Sequence, residues 1–167
     1  ATTEIYTVSL HDALPISRAE WSALLRARKQ ERQMRQLLLL EELGAEVVTL
    51  QADVACEGQM RQVIEQTLER FGTLHGVIHA AGLPGMGLMQ LKTPEQAAQV
   101  MAPKVQGTLV LEHVLRDIPL DFLLLFSSVT AMTGGGPGQV DYCAANAFLD
   151  AYARQNATRH GITLAIN

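Results

Sequence analysis

Short apolar runs alternate with longer stretches of helical period, and no other feature limits the fold of this chain so strongly. The runs are Glu46-Val47-Val48-Thr49-Leu50-Gln51, His75-Gly76-Val77-Ile78-His79, the segment 120–126 and the segment 162–166. Their apolar residues hardly alternate with polar ones, as in strands buried on both faces. Strand and helix in repetition predict an α/β chain built on a doubly wound parallel sheet covered on both faces.

Local signals mark the helices between the runs. Ser17 and Glu20 have capping-box spacing, and the Arg-, Glu-, Gln- and Leu-rich stretch to Leu43 is closed by Gly44. Two helices could share that span. Met60, Val63, Ile64, Leu68 and Phe71 recur at helical spacing before Gly72. Thr93-Pro94-Glu95-Gln96 opens the next helix, and Pro103 splits it from a second running to about Arg116. A loop is expected at 129–139, a helix at 140–159 and a stop at Gly161. Residues 1–16 have neither period and are similar to translated adapter read-through. They are expected to be poorly packed, artefactual or disordered, and outside the domain formed by 17–167.

At 167 residues with 48% hydrophobic content, the chain can bury one core. Thirteen basic and seventeen acidic residues leave a formal charge of −4, which gives no reason to expect nucleic acid or an anionic membrane as partner. No apolar run nears the roughly 20 residues of a membrane span, and no export signal is evident. A cytoplasmic setting follows as the expectation, with Cys56 and Cys143 as buried reduced thiols. His75, His79 and His113 fit no metal spacing, so no metal site is expected. Met86, Met89 and Met101 are read as packing residues.

The chemistry concentrates near the end of the chain. In the Ala-rich run 141–150, Tyr142 and Asn146 are four residues apart and share a helix face. Ser127 and Ser128 follow the strand that ends at Phe126. A hydroxyl at a strand's C-terminal end, a Gly-rich loop and a tyrosine on the next helix together suit a carbonyl oxygen, and so an enzyme. Taken singly, each has a plainer role. Tyr142 could anchor a helix, either serine could bond a loop, Lys104 could be a solvated amine, and Asp53 could cap the following helix.

Several segments in this order resemble the ketoreductase domain of modular polyketide synthases, within the short-chain dehydrogenase/reductase superfamily. They include Leu43-Gly44-Ala45-Glu46-Val47, Ala52-Asp53-Val54, Gly76-Val77-Ile78-His79-Ala80-Ala81-Gly82 and Pro103-Lys104-Val105-Gln106-Gly107-Thr108. Phe126-Ser127-Ser128 and the stretch 138–151 complete the set. Lys104 on the earlier helix with Asn146 after the tyrosine is the discriminating pair, since most of the superfamily exchanges these residue types. The resemblance implies a Rossmann-like fold and reduction by NADPH of a β-ketoacyl thioester on an acyl carrier protein to the β-hydroxyacyl product. It implies Tyr142 as general acid, Lys104 as the charge favouring its phenolate, and Ser128 as a donor to the same carbonyl oxygen. Asn146 would hold Lys104 or a water feeding protons back. Asp53 would accept from the adenine amino group, Val54 would line the adenine, and Ala80, Ala81 and Gly82 would let the cofactor approach the backbone. Other synthase domains are implied as partners.

Against the family pattern, no Gly-rich nucleotide turn occurs anywhere in the sequence. The chain is therefore expected to be an incomplete Rossmann-like domain, lacking its first βαβ unit and C-terminal part, and to bind NADPH poorly by itself. Ser128 and Tyr142 are one residue further apart than usual. The loop 83–92 has no Leu-Asp-Asp, and no Trp precedes Tyr142 in the loop before it, so product configuration is not specified. The competing classes are a non-catalytic structural fragment of a synthase and a short-chain reductase acting on a free ketone. The four residue types Tyr, Ser, Lys and Asn together favour catalysis on the tethered substrate.

Overall fold

A computed structural model describes residues 4–9 and 31–167, apart from 86 and 160, with side chains from 34 onward. Ser17 and Glu20, the proposed first cap, lie outside the described residues, as does Met86. The chain divides into two compact units, Ala1–Ala52 and Asp53–Asn167.

In the first unit, β1 (Glu4–Ser9) runs parallel to β2 (Glu46–Gln51), with Glu4 opposite Glu46 and Ser9 opposite Gln51. This strand lies within the residues 1–16 expected to be poorly packed and outside the domain. Parallel pairing needs only extended backbone, which the sequence Ile5-Tyr6-Thr7-Val8 favours. Helix α1 (Glu31–Glu42) packs against β2 and buries Met34. Gly44, at φ +91°, supplies the left-handed turn between them.

The second unit begins with α2 (Glu57–Phe71), stopped at Gly72 (φ +78°), then β3 (Gly76–His79). After a 3₁₀ turn at Met89–Leu91 come α3 (Pro94–Met101) and α4 (Val105–Val114), parted around Pro103. Strand β4 (Phe122–Phe126), the short α5 (Thr130–Thr133), α6 (Val140–Gln155) and β5 (Ile162–Ile166) complete it. Helix α6 ends earlier than expected, and α5 forms inside the predicted loop. Cys56, not Asp53, is the N-cap of α2, because the Asp53 carboxylate turns to the Ala55 amide instead.

Strands β3, β4 and β5 form a parallel sheet in that order, with Gly76, Phe122 and Ile162 in register. On one face Leu123 and Leu125 pack against Leu149, Tyr152 and Ala153 of α6. Each of those fully buried leucines contributes about 2 kcal/mol. On the other face Ile78, Phe122, Phe126, Ile162 and Leu164 are exposed, where the unbroken apolar runs had predicted cover on both faces. Among the described residues no helix is long and apolar enough to cross a membrane. Met89 is exposed rather than packed, and Cys56 and Cys143 are free and only half-buried.

Candidate active site

The C-terminal ends of β3 and β4, the start of α4 and the first turns of α6 carry the candidate residues, and Lys104 and Tyr142 meet there. Lys104 stands at the N-terminus of α4 and is only 5% exposed. Its Nζ donates to the Phe126 carbonyl at 2.5 Å and lies 5.9 Å from the centre of the Tyr142 ring. Gly82 lies against this side chain, and a Cβ there would stand 2.9 Å from Lys104 Cε. Burial lowers the pKa of the Lys104 ammonium, while the charge of Asp150 acts the other way.

Asn146 is fully buried one helical turn beyond Tyr142. Its Nδ2 donates to the Tyr142 carbonyl at 2.7 Å, and its Oδ1 has no partner among the described residues. The direct hold on Lys104 that the resemblance allows is therefore not formed. Asn146 back-bonds within its own helix, the shortest route for an amide at that spacing.

The two serines divide by what their hydroxyls do. Ser127 donates its hydrogen to the Asn146 carbonyl at 3.1 Å, tying the end of β4 to α6. Ser128 instead accepts, from the Thr130 amide at 3.3 Å and the Thr130 hydroxyl at 3.0 Å. Its own hydrogen stays free to donate.

On the side expected to hold a nucleotide, Asp53 is exposed. Its Oδ1 accepts from Ala55 N at 2.9 Å, and its own amide donates to Gln59 Oε1 at 2.7 Å. Val54 is 3% exposed and turned against Gly107, where a Cβ would come within 2.8 Å of it. Its side chain therefore packs into the core. Ala80 and Gly82 are exposed and Ala81 is half-buried in the turn after β3. An exposed carboxylate and small residues over open backbone fit the adenine and nicotinamide ends of a dinucleotide. His79 beneath this turn is buried with Nε2 unpartnered. Burial first and the Lys104 charge second hold its pKa down to about 4, against the Pro103 carbonyl, so the imidazole is neutral at neutral pH.

A second buried lysine was not legible in the sequence. Lys92 Nζ reaches Asp141 Oδ2 at 2.6 Å and the Gly138 carbonyl at 2.6 Å, with the two side chains 7% and 1% exposed. The residues are 49 apart in the chain, and no motif or spacing links the two. The pair borders a groove of about 390 Å³ lined by Pro84, Leu88, Leu91 and Val100, among others, which includes none of Lys104, Ser128, Tyr142 or Asn146. Among the described residues no group of His, Cys, Asp and Glu could hold a metal.

The sequence model of the KR domain matches residues 16–167. Polyketide synthase PksN of Bacillus subtilis is 36% identical over 148 residues, which are 85% of this chain and 3% of that protein. The 6-methylsalicylic acid synthase of Aspergillus niger is 38% identical over 144 residues, 85% of this chain and 8% of that protein. Among solved structures, a ketoreductase domain from the bacillaene assembly line superposes with a TM-score of 0.77 at 34% identity. That match covers 99% of this chain and 37% of the other. The chain spans less than a tenth of the length of the two synthases.

Proposed function

Because the chain belongs to the KR-domain family, ketoreductases of the short-chain dehydrogenase/reductase superfamily, we propose that it acts within a cytoplasmic polyketide synthase, reducing a β-ketoacyl thioester on an acyl carrier protein. The product is the β-hydroxyacyl thioester. One observation carries this reading: the buried Lys104 ammonium held by the Phe126 carbonyl within 5.9 Å of the Tyr142 ring centre.

In this reading the Tyr142 phenol gives its proton to the substrate oxygen as the carbonyl carbon is reduced. The Lys104 charge favours the phenolate left behind. Ser128, whose hydrogen is uncommitted, donates to the same oxygen and stabilises its developing charge. Asn146 fixes the Tyr142 turn through its Nδ2, and its buried Oδ1 is an acceptor suited to a water that returns the proton. NADPH, when bound, supplies the hydride. Asp53, the backbone at Val54, and Ala80, Ala81 and Gly82 would hold it.

Replacing Tyr142 by Phe in the synthase that carries this chain tests the reading. Reduction of a carrier-bound β-ketoacyl thioester should be abolished while NADPH binding persists, and unchanged turnover would refute the acid assignment. Equal turnover of a free small ketone and the carrier-bound substrate would remove the tethered-substrate part. Equal use of NADH would remove the cofactor preference.

A further inference from the structure

We propose that Lys92 and Asp141 are positioning residues for Tyr142, an inference that rests on reading Tyr142 as the proton donor. Tyr142 sits in the first turn of α6, where backbone amides have no partner inside the helix. The N-cap, Gln139, makes no side-chain bond to them. Asp141 fills that role, its Oδ1 accepting from the Tyr142 amide at 2.9 Å. The other carboxylate oxygen is held by Lys92, whose ammonium also takes the Gly138 carbonyl just before the helix. One cation thus fastens the loop 83–92, the turn at Gly138 and the amide of the tyrosine.

Backbone contacts show how closely the loop lies on this corner. A Cβ at Gly85 would stand 2.5 Å from Asp141 Oδ1 and 3.0 Å from Tyr142 Cβ. A side chain at Gly138, where φ is +76°, would run into the Gly87 carbonyl. Displacing the pair would shift the turn that sets where the phenol points. A buried ion pair can generally be replaced by apolar residues of similar volume with little loss of stability. Removing both charges together therefore separates folding from positioning.

The test uses the synthase that carries this chain, with Lys92→Met and Asp141→Leu combined. The double variant should unfold at a urea concentration at or above the parent's. It should lose at least about tenfold in kcat, with KM changed less than twofold, because misplacement of a reacting group acts on the chemical step. Lys92→Arg alone should restore most of kcat. Parent-like kcat in the double variant, beside an inactive Tyr142→Phe, overturns the positioning role and leaves the acid assignment standing. Normal turnover by Tyr142→Phe removes the premise instead. Should the double variant fail to fold, Asp141→Asn keeps the Oδ1 acceptor and the side-chain volume while losing the charge. A several-fold fall in its kcat supports the proposal, and an unchanged kcat overturns it.

Discussion

Lys92 and Lys104 are both withdrawn from solvent, and they are satisfied in opposite ways. Lys92 has a carboxylate and a carbonyl at hydrogen-bond distance. Lys104 has the Phe126 carbonyl and the face of an aromatic ring, with Asp150 acting only through its field. The paired cation is a fastener, whose charge is spent on one geometry. The underpaired cation keeps its charge available to a neighbour, at the cost of an ammonium weakened by burial, the pattern common at reacting sites. Both act on Tyr142, one through its ring and the other, through Asp141, at its amide.

The contrast breaks first, and most widely, at Lys104. Replacing it by Met should lower turnover by about 10²–10⁴-fold, the range of general acid–base contributions. Stability should hold or rise, because a poorly compensated charge leaves the core while the volume stays filled. Rate and urea midpoint measured on one preparation check both halves. At Lys92 the same substitution should do the reverse to the fold. Asp141 would be left as a buried carboxylate without a cation, at a cost of about 3–5 kcal/mol. If the two Met variants lost stability equally, the distinction between fastener and reagent would fail.

What was legible in the sequence divides along the same line. Strand ends at 46–51 and 162–166, the stops at Gly44 and Gly72, the Thr93 cap and the break at Pro103 all arise from neighbours in the chain. Motif order likewise foretold that Lys104 would meet Tyr142. The Lys92–Asp141 pair had no such signal, because long-range pairing of two common charged residues leaves no period and no spacing to read. The burial of Val54 against Gly107 was not legible, because an apolar residue beside a nucleotide and one in the core look alike in a sequence. Asp53 lost the cap of α2 to Cys56 through a local competition, since its carboxylate closes a turn on the Ala55 amide.

Acid sharpens the comparison, because His79 senses Lys104. The imidazole's pKa is about 4 in the folded chain against 6.5 ordinarily, so between those values the unfolded chain binds a proton that the folded one refuses. Stability attributable to this group is complete above about pH 6.5 and falls as the pH drops toward 4, by about 3 kcal/mol in all. Urea unfolding from pH 7.5 to 4.5, compared with His79→Gln, isolates the histidine from carboxylates titrating in the same range. In Lys104→Met the loss should be smaller, since one cause of the lowered pKa is gone. In Lys92→Met the slope due to His79 should be unchanged.

The smallest effect is expected at Thr93, next in the chain to the fastening lysine. Thr93 Oγ1 accepts from the Gln96 amide at 3.3 Å, and Gln96 Oε1 accepts from the Thr93 amide at 3.1 Å, a complete capping box at the start of α3. Thr93→Ala should cost about 1 kcal/mol, the usual loss of such a cap. Its value lies in the cycle with Lys92→Met. If the cap merely begins a helix, the two losses add, as independent sites do. If the cap also aims Lys92 at Asp141, then once the lysine is gone removing the cap costs less, and the double variant is more stable than the sum predicts. The urea midpoints of the four proteins decide between these. A sub-additive result would extend the fastener from one ion pair to the junction of loop and helix, while additivity would confine it to Lys92 and Asp141.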